Sequence, residues 1–201
     1  MKKISVLDRI LLLATGLLAA YQVAAGMDGM EPLTIWFYTV SFGTVLVAGL
    51  LLIILGFEGL EKQAIVIVST LIPLSLSLGL VSEHMVEYTI PYLIFCGVGF
   101  IAIAITRFSV TGRIATIVLA VVHGIAGLII FLLPIFLSIQ GAMPAGFALV
   151  GLGGAIIGLG GLLLAFLKAG KPILSQKTIL TLLPGLLFLM TAAFVCGFSF
   201  R

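Results

Sequence analysis

Seven apolar stretches alternate with short polar connections along the chain: residues 10–26, 33–57, 64–81, 90–106, 114–139, 145–167 and 179–198. A helix crosses a bilayer core with about 20 apolar residues, in a range of roughly 17 to 25. Each stretch is therefore predicted as one membrane span. The connections are too short for a further module, so successive helices run antiparallel and pack side by side. The fold class that follows is all-α: one polytopic domain, residues 1–201, built as a bundle of seven transmembrane helices.

The sixth stretch differs from the others. Within GFALVGLGGAIIGLGGLLLAFL, Gly151, Gly154, Ala155, Gly158 and Gly161 recur at helical spacings of three and four, on one face. Gly154 and Gly158 form a GxxxG pair. So many glycines weaken a helix in water. In lipid they let a neighbouring backbone approach closely. This face is the predicted helix-packing interface, placing the sixth helix centrally or against another protein.

Composition removes the soluble alternative. Hydrophobic residues make up 62% of the chain and charged residues 8%, against about half and about a quarter in soluble domains. The net charge is +3, and its placement matters more than its size. Lys2, Lys3, Arg9, Lys62, Arg107, Arg113, Lys168, Lys171 and Lys177 all fall at one end of the seven spans, leaving Arg201 at the other. The positive-inside rule then predicts a multi-pass cell-membrane protein with a cytoplasmic N-terminus and an extracytoplasmic C-terminus. The four tyrosines and Trp36 lie towards the outer ends, as an interfacial belt would. Val23-Ala24-Ala25 after a basic start resembles a signal-peptide cleavage site; an uncleaved first helix is the reading adopted.

Repeats overlay this plan. Pro32, Pro91 and Pro144 each stand at the start of an inward-running helix, in the first turn, where a missing N–H costs nothing. Residues 32 and 49–52 match 144 and 161–164, and Thr70-Leu71-Ile72-Pro73 matches Thr181-Leu182-Leu183-Pro184. Helices 1–3 thus resemble helices 5–7 in the same orientation, the pattern of a parallel duplication.

Chemistry is sparse. His123 is the one ionisable residue deep in a span, roughly 15 Å in from Arg113 at 1.5 Å per residue. Its ordinary reading is a neutral imidazole donating to a carbonyl across helices. Its sharper reading is a cofactor ligand, with Met190 at similar depth as a second axial residue for haem. Pro73 and Pro184 interrupt the third and seventh helices. Ser75 and Ser77 flank Pro73 with hydroxyls, so Pro73, Ser75, Ser77 and Pro184 outline a candidate solute pathway. Glu83, His84 and Glu87, with Asp28 or Glu31, read as a hydrated loop or a weak cation site, and Glu58, Glu61 and Lys62 as a solvated turn. Cys96 and Cys196 lie far apart without metal spacing. No nucleophile–base pair, phosphate loop or zinc motif is present, so neither an enzyme nor a resident cofactor or metal is expected. Nothing indicates nucleic acid as a partner.

RIATIVLAVVHGIAGLIIFLLP (113–134) and FALVGLGGAIIGLGGLLLAFL (147–167) resemble HdeD-like small bacterial membrane proteins, which repeat hairpins of glycine-spaced apolar helices. That family has six helices where seven are predicted here. The resemblance implies a non-enzymatic membrane protein linked to stress and carries over no site residues. The three-plus-one-plus-three plan is also similar to SWEET and PQ-loop transporters, but no Pro-Gln pair occurs.

Three functions stay open. The first is a non-catalytic packing or anchoring subunit of a larger membrane complex, held to other subunits or to a second copy of itself. The second is a transporter or channel for a small, weakly polar solute. The third is a haem- or quinone-binding electron-transfer subunit using His123.

Overall fold

The computed structural model describes residues 3–25, 29–109, 113–168 and 173–201, without the side chains of Arg113, Leu162, Leu164, Ala165, Phe166 and Lys168. Lys2, Asp28 and Lys171 lie outside the described residues. All regular structure among the described residues is helical. The α-helices are α1 (Val6–Ala25), α2 (Pro32–Leu55), α3 (Gln63–Ser69), α4 (Leu71–His84), α5 (Thr89–Ser109), α6 (Arg113–Ile139), α7 (Ala148–Lys168) and α8 (Gln176–Phe198). Six segments are long and apolar enough to cross a membrane, with α3 and α4 together making one of them. α7, at 21 residues, completes the bundle of seven.

Local sequence sets the helix ends. Ser5 and Asp8 form a reciprocal capping box at the start of α1: the Ser5 amide donates to Asp8 Oδ2 (2.8 Å) and the Asp8 amide to Ser5 Oγ (3.1 Å). α6 stops at Gly141, whose φ of +73° suits glycine. There the Ala142 amide bonds the Leu137 carbonyl and the Gly141 amide the Ser138 carbonyl, the bond pair of a Schellman motif.

The third predicted span departs from a continuous kinked helix. It breaks at Thr70, three residues before Pro73. Proline has no N–H and its ring crowds the carbonyl four residues back, here that of Ser69. Ser69 and Thr70 turn their hydroxyls onto the Val66 and Ile67 carbonyls instead. Pro184 sits inside α8 without such a break, and α6 carries a further internal proline, Pro134.

Packing closes a ring. α1 packs on α2, α2 on α4, α4 on α6, α6 on α7, α7 on α8, and α8 back on α1. α5 lies outside the ring against α3, α4 and α6. One end of the ring carries Glu83 and Arg201. The opposite, basic end carries Lys62, Arg107 and Lys177.

Towards the Glu83 end the interior is filled by Tyr38, Phe42, Phe147, Phe194 and Phe198, with Leu76, Leu80, Ile130 and Met190. Their rings meet edge to face: Tyr38–Phe198 at 4.8 Å, Phe42–Phe198 at 5.9 Å and Phe147–Phe198 at 6.0 Å between centroids. Such pairs add about 0.5–1.5 kcal/mol beyond area burial. A second cluster, with Leu74, Leu78, Cys96, Ile103, Val122 and Ala126, joins α4, α5 and α6.

Candidate functional site

Two places gather polar side chains inside or at the mouth of the ring. The first is a seam on α4. Ser77 Oγ donates to the Pro73 carbonyl (2.6 Å), and Tyr92 on α5 donates to Ser77 Oγ (2.8 Å). Ser41 on α2 donates to the Ile72 carbonyl at 3.0 Å. Ser75 donates to the Leu71 carbonyl. The hydroxyls around Pro73 are therefore engaged with backbone carbonyls, the outcome expected where a proline disturbs a membrane helix. Pro184 is buried on α8, directly across the ring from α4. Pro73, Ser75 and Ser77 thus lie on α4, with Ser77 turned towards α5 outside the ring, and Pro184 lies on α8.

The second place is the mouth at the Glu83 end. Glu83 accepts a hydrogen bond from Tyr38 Oη at 2.9 Å and pairs with the guanidinium of Arg201. His84 Nε2 lies 3.7 Å from Glu83 Oε2 and makes no hydrogen bond. Its ring stands edge-on to Phe147 at 5.4 Å. Thr34 and Ser82 bond to each other beside it, at 2.9 Å. The sequence pattern singled out Glu83 and His84 but not their partners. Tyr38 and Arg201 are distant in sequence, and only closure of the ring brings them together. Glu87 and Glu31 are exposed and Asp28 is outside the described residues. Among the described residues no group of three His, Cys, Asp or Glu is placed to hold a metal ion.

The cofactor pair is not brought together. His123 is on α6 and Met190 on α8, with α7 packed between them. Met190 is 1% exposed inside the aromatic core, so its sulfur has no opening in which to meet a planar macrocycle. His123 Nδ1 is buried without a hydrogen-bond partner, so the expected bond to a carbonyl across helices is not made there. Nothing in this arrangement fits a His–Met haem.

The glycine face of α7 is split. A Cβ at Gly151 would sit 2.5 Å from the Phe131 carbonyl oxygen, and one at Gly154 2.8 Å from Ile130 Cγ2, both on α6. A Cβ at Gly153 would sit 2.6 Å from Phe194, and one at Gly160 3.4 Å from Leu186, both on α8. Ala155 is half-buried. A Cβ at Gly158 or Gly161, on the face that touches α6 one turn earlier, would meet nothing within 4 Å among the described residues. The glycine face read from the sequence is therefore used unevenly within the chain. Its first half is used within the chain and its second half is not, because α6 and α7 part towards the basic end. On α6, Gly124 and Gly127 are open in the same way.

Compared with models of known families, with curated proteins and with solved structures, the chain matches none.

Proposed function

We propose that this integral membrane protein is a non-catalytic packing or anchoring subunit of a larger membrane assembly. One observation carries the reading: glycines at membrane depth that the chain's own packing leaves unused. Gly158 and Gly161 on α7, with Gly124 and Gly127 on α6, face open space. Glycine in a helix costs about 0.8–1 kcal/mol relative to alanine. Against lipid that cost gains nothing, whereas against a helix of another subunit it permits close backbone approach. The engaged hydroxyls around Pro73 and the aromatic filling of the ring support the same reading, since they leave few groups to bind a polar solute. The likeness of residues 113–134 and 147–167 to HdeD-like proteins agrees with a non-enzymatic role. The clustering of Lys and Arg supports a cytoplasmic basic end.

The test is a Gly158→Leu, Gly161→Leu double variant compared with wild type by native gel and by thermal unfolding in detergent. The reading expects the larger species to disappear while the unfolding temperature of the chain is unchanged. A larger species that survives both substitutions would remove this interface.

A second reading, transport of a small weakly polar solute, is favoured by the ring itself. Its order, α1–α2–α4 followed by α6–α7–α8 with α5 outside, is the order a parallel duplication would produce, with α4 opposite α8. Uptake into liposomes that depends on Pro73 and Ser75 would support it, and uptake at the level of empty liposomes would count against it.

A further inference from the structure

The residues after α8 do not leave the bundle. The amides of Ser199, Phe200 and Arg201 continue to bond carbonyls at 195–198, so the chain stays in a tightened last turn at the end of α8. The Phe200 ring lies against Gly146, where an added Cβ would fall 2.3 Å from it. Arg201 then reaches Glu83 at the end of α4. In the ring α8 and α4 are three places apart in either direction. The segment therefore reaches from α8 to α4 across the mouth, at the end of the ring where Phe147 meets both His84 and Phe198.

We propose that Phe200 and Arg201 form a releasable strap over the mouth of the helix ring, with Glu83 as its catch. Three features support release. The catch is an ion pair in reach of water, with the Glu83 side chain 15% and the Arg201 side chain 21% exposed, so salt and solvent compete with it. Below it the layer is aromatic and apolar, with Phe147 and Phe198 in edge-to-face contact. Glu83 also keeps a partner when Arg201 departs. Tyr38 Oη still donates to it, and His84 Nε2, 3.7 Å away and without a hydrogen bond, stands ready as a second donor. A largely buried carboxylate that loses its only partner would oppose release strongly; one with a replacement at hand makes the strap a two-position element. This inference depends on neither functional reading above.

The test measures the distance across the mouth. Spin labels are placed at Val86→Cys and Ser199→Cys, both exposed positions, in a Cys96→Ala, Cys196→Ala background of the full chain. With the strap engaged, one narrow distance population is expected. Arg201→Ala should add a longer, broader population, and the exchanged pair Glu83→Arg, Arg201→Glu should remove it again. Raising the ionic strength from about 0.1 M to about 1 M shortens the screening length from about 10 Å to about 3 Å. In the labelled chain with both native charges this should also populate the longer distance. If Arg201→Ala does not fold, the salt series decides alone. A distribution that is the same at both salt concentrations, or the same with and without Arg201, overturns the strap.

Discussion

The two ends of α7 use the same residue in opposite ways. Near the Glu83 end Gly151 and Gly154 receive α6, and Gly153 receives Phe194 of α8. Two turns on, Gly158 and Gly161 receive nothing, although they continue the same face. The Glu83 end is interlocked by aromatic rings, an ion pair and a strap. Towards the basic end, among the described residues, Gly160 still meets Leu186 of α8. Glycine spacing by itself says that a helix can be approached closely. Whether it is approached, and by what, depends on where the neighbouring helix goes. A lipid environment sharpens this point, because no hydrophobic drive closes a gap between helices.

The largest expected effect separates the two halves directly. Gly154→Leu forces a side chain into Ile130 and the α6 backbone, which cannot yield as a flexible side chain could. It should destabilise the chain by about 1–3 kcal/mol or more, read as a fall in unfolding temperature in detergent. Gly158→Leu should stay within about 0.5 kcal/mol of wild type. Equal losses at both positions would remove the split.

The next effect compares the two prolines. Ser77→Ala removes the hydroxyl that links Tyr92 to the carbonyl of Pro73, for a loss of about 1 kcal/mol in line with interhelical hydrogen bonds in membranes. Thr181→Ala, near Pro184, removes an exposed bond to its own helix at Lys177 and should change stability by less than about 0.5 kcal/mol. A larger loss at Thr181 would show that the second proline needs its hydroxyl as much as the first.

Tyr38→Phe at the interlocked end keeps the ring against Phe198 and deletes the bond to Glu83. A loss of about 1 kcal/mol is expected from thermal unfolding, because Arg201 still satisfies the carboxylate. A much larger loss would mean that Tyr38 rather than Arg201 holds Glu83. Ser5→Ala, at the start of α1 and far from either feature, removes the capping box and should cost about 0.5–1 kcal/mol, measured as faster hydrogen exchange in the first turn.

Much of the architecture was legible because membrane helices declare themselves by length and hydropathy. The seven spans, their antiparallel order and the segregation of Lys and Arg need only counting. The break at Thr70 was half legible. Pro73 marks the place, but Pro184 in nearly the same local sequence lies inside a helix that continues. The mouth of the ring was not legible. Glu83 and Arg201 are 118 residues apart, and no local pattern joins them. The one available signal was that Arg201 stands alone at the acidic end of the spans, where a lone cation invites a carboxylate partner. Gly158 and Gly161 share the spacing of Gly151 and Gly154, so no periodicity argument could separate them; the course of α6 does.

The central claim is that the unused glycines of α6 and α7 face another subunit. Native mass spectrometry of the protein extracted at natural abundance in mild detergent tests it most directly. The chain is expected to leave the membrane bound to at least one further polypeptide, and the Gly158→Leu, Gly161→Leu variant to emerge without it. A wild-type chain that emerges alone, carrying only lipid, would contradict the claim.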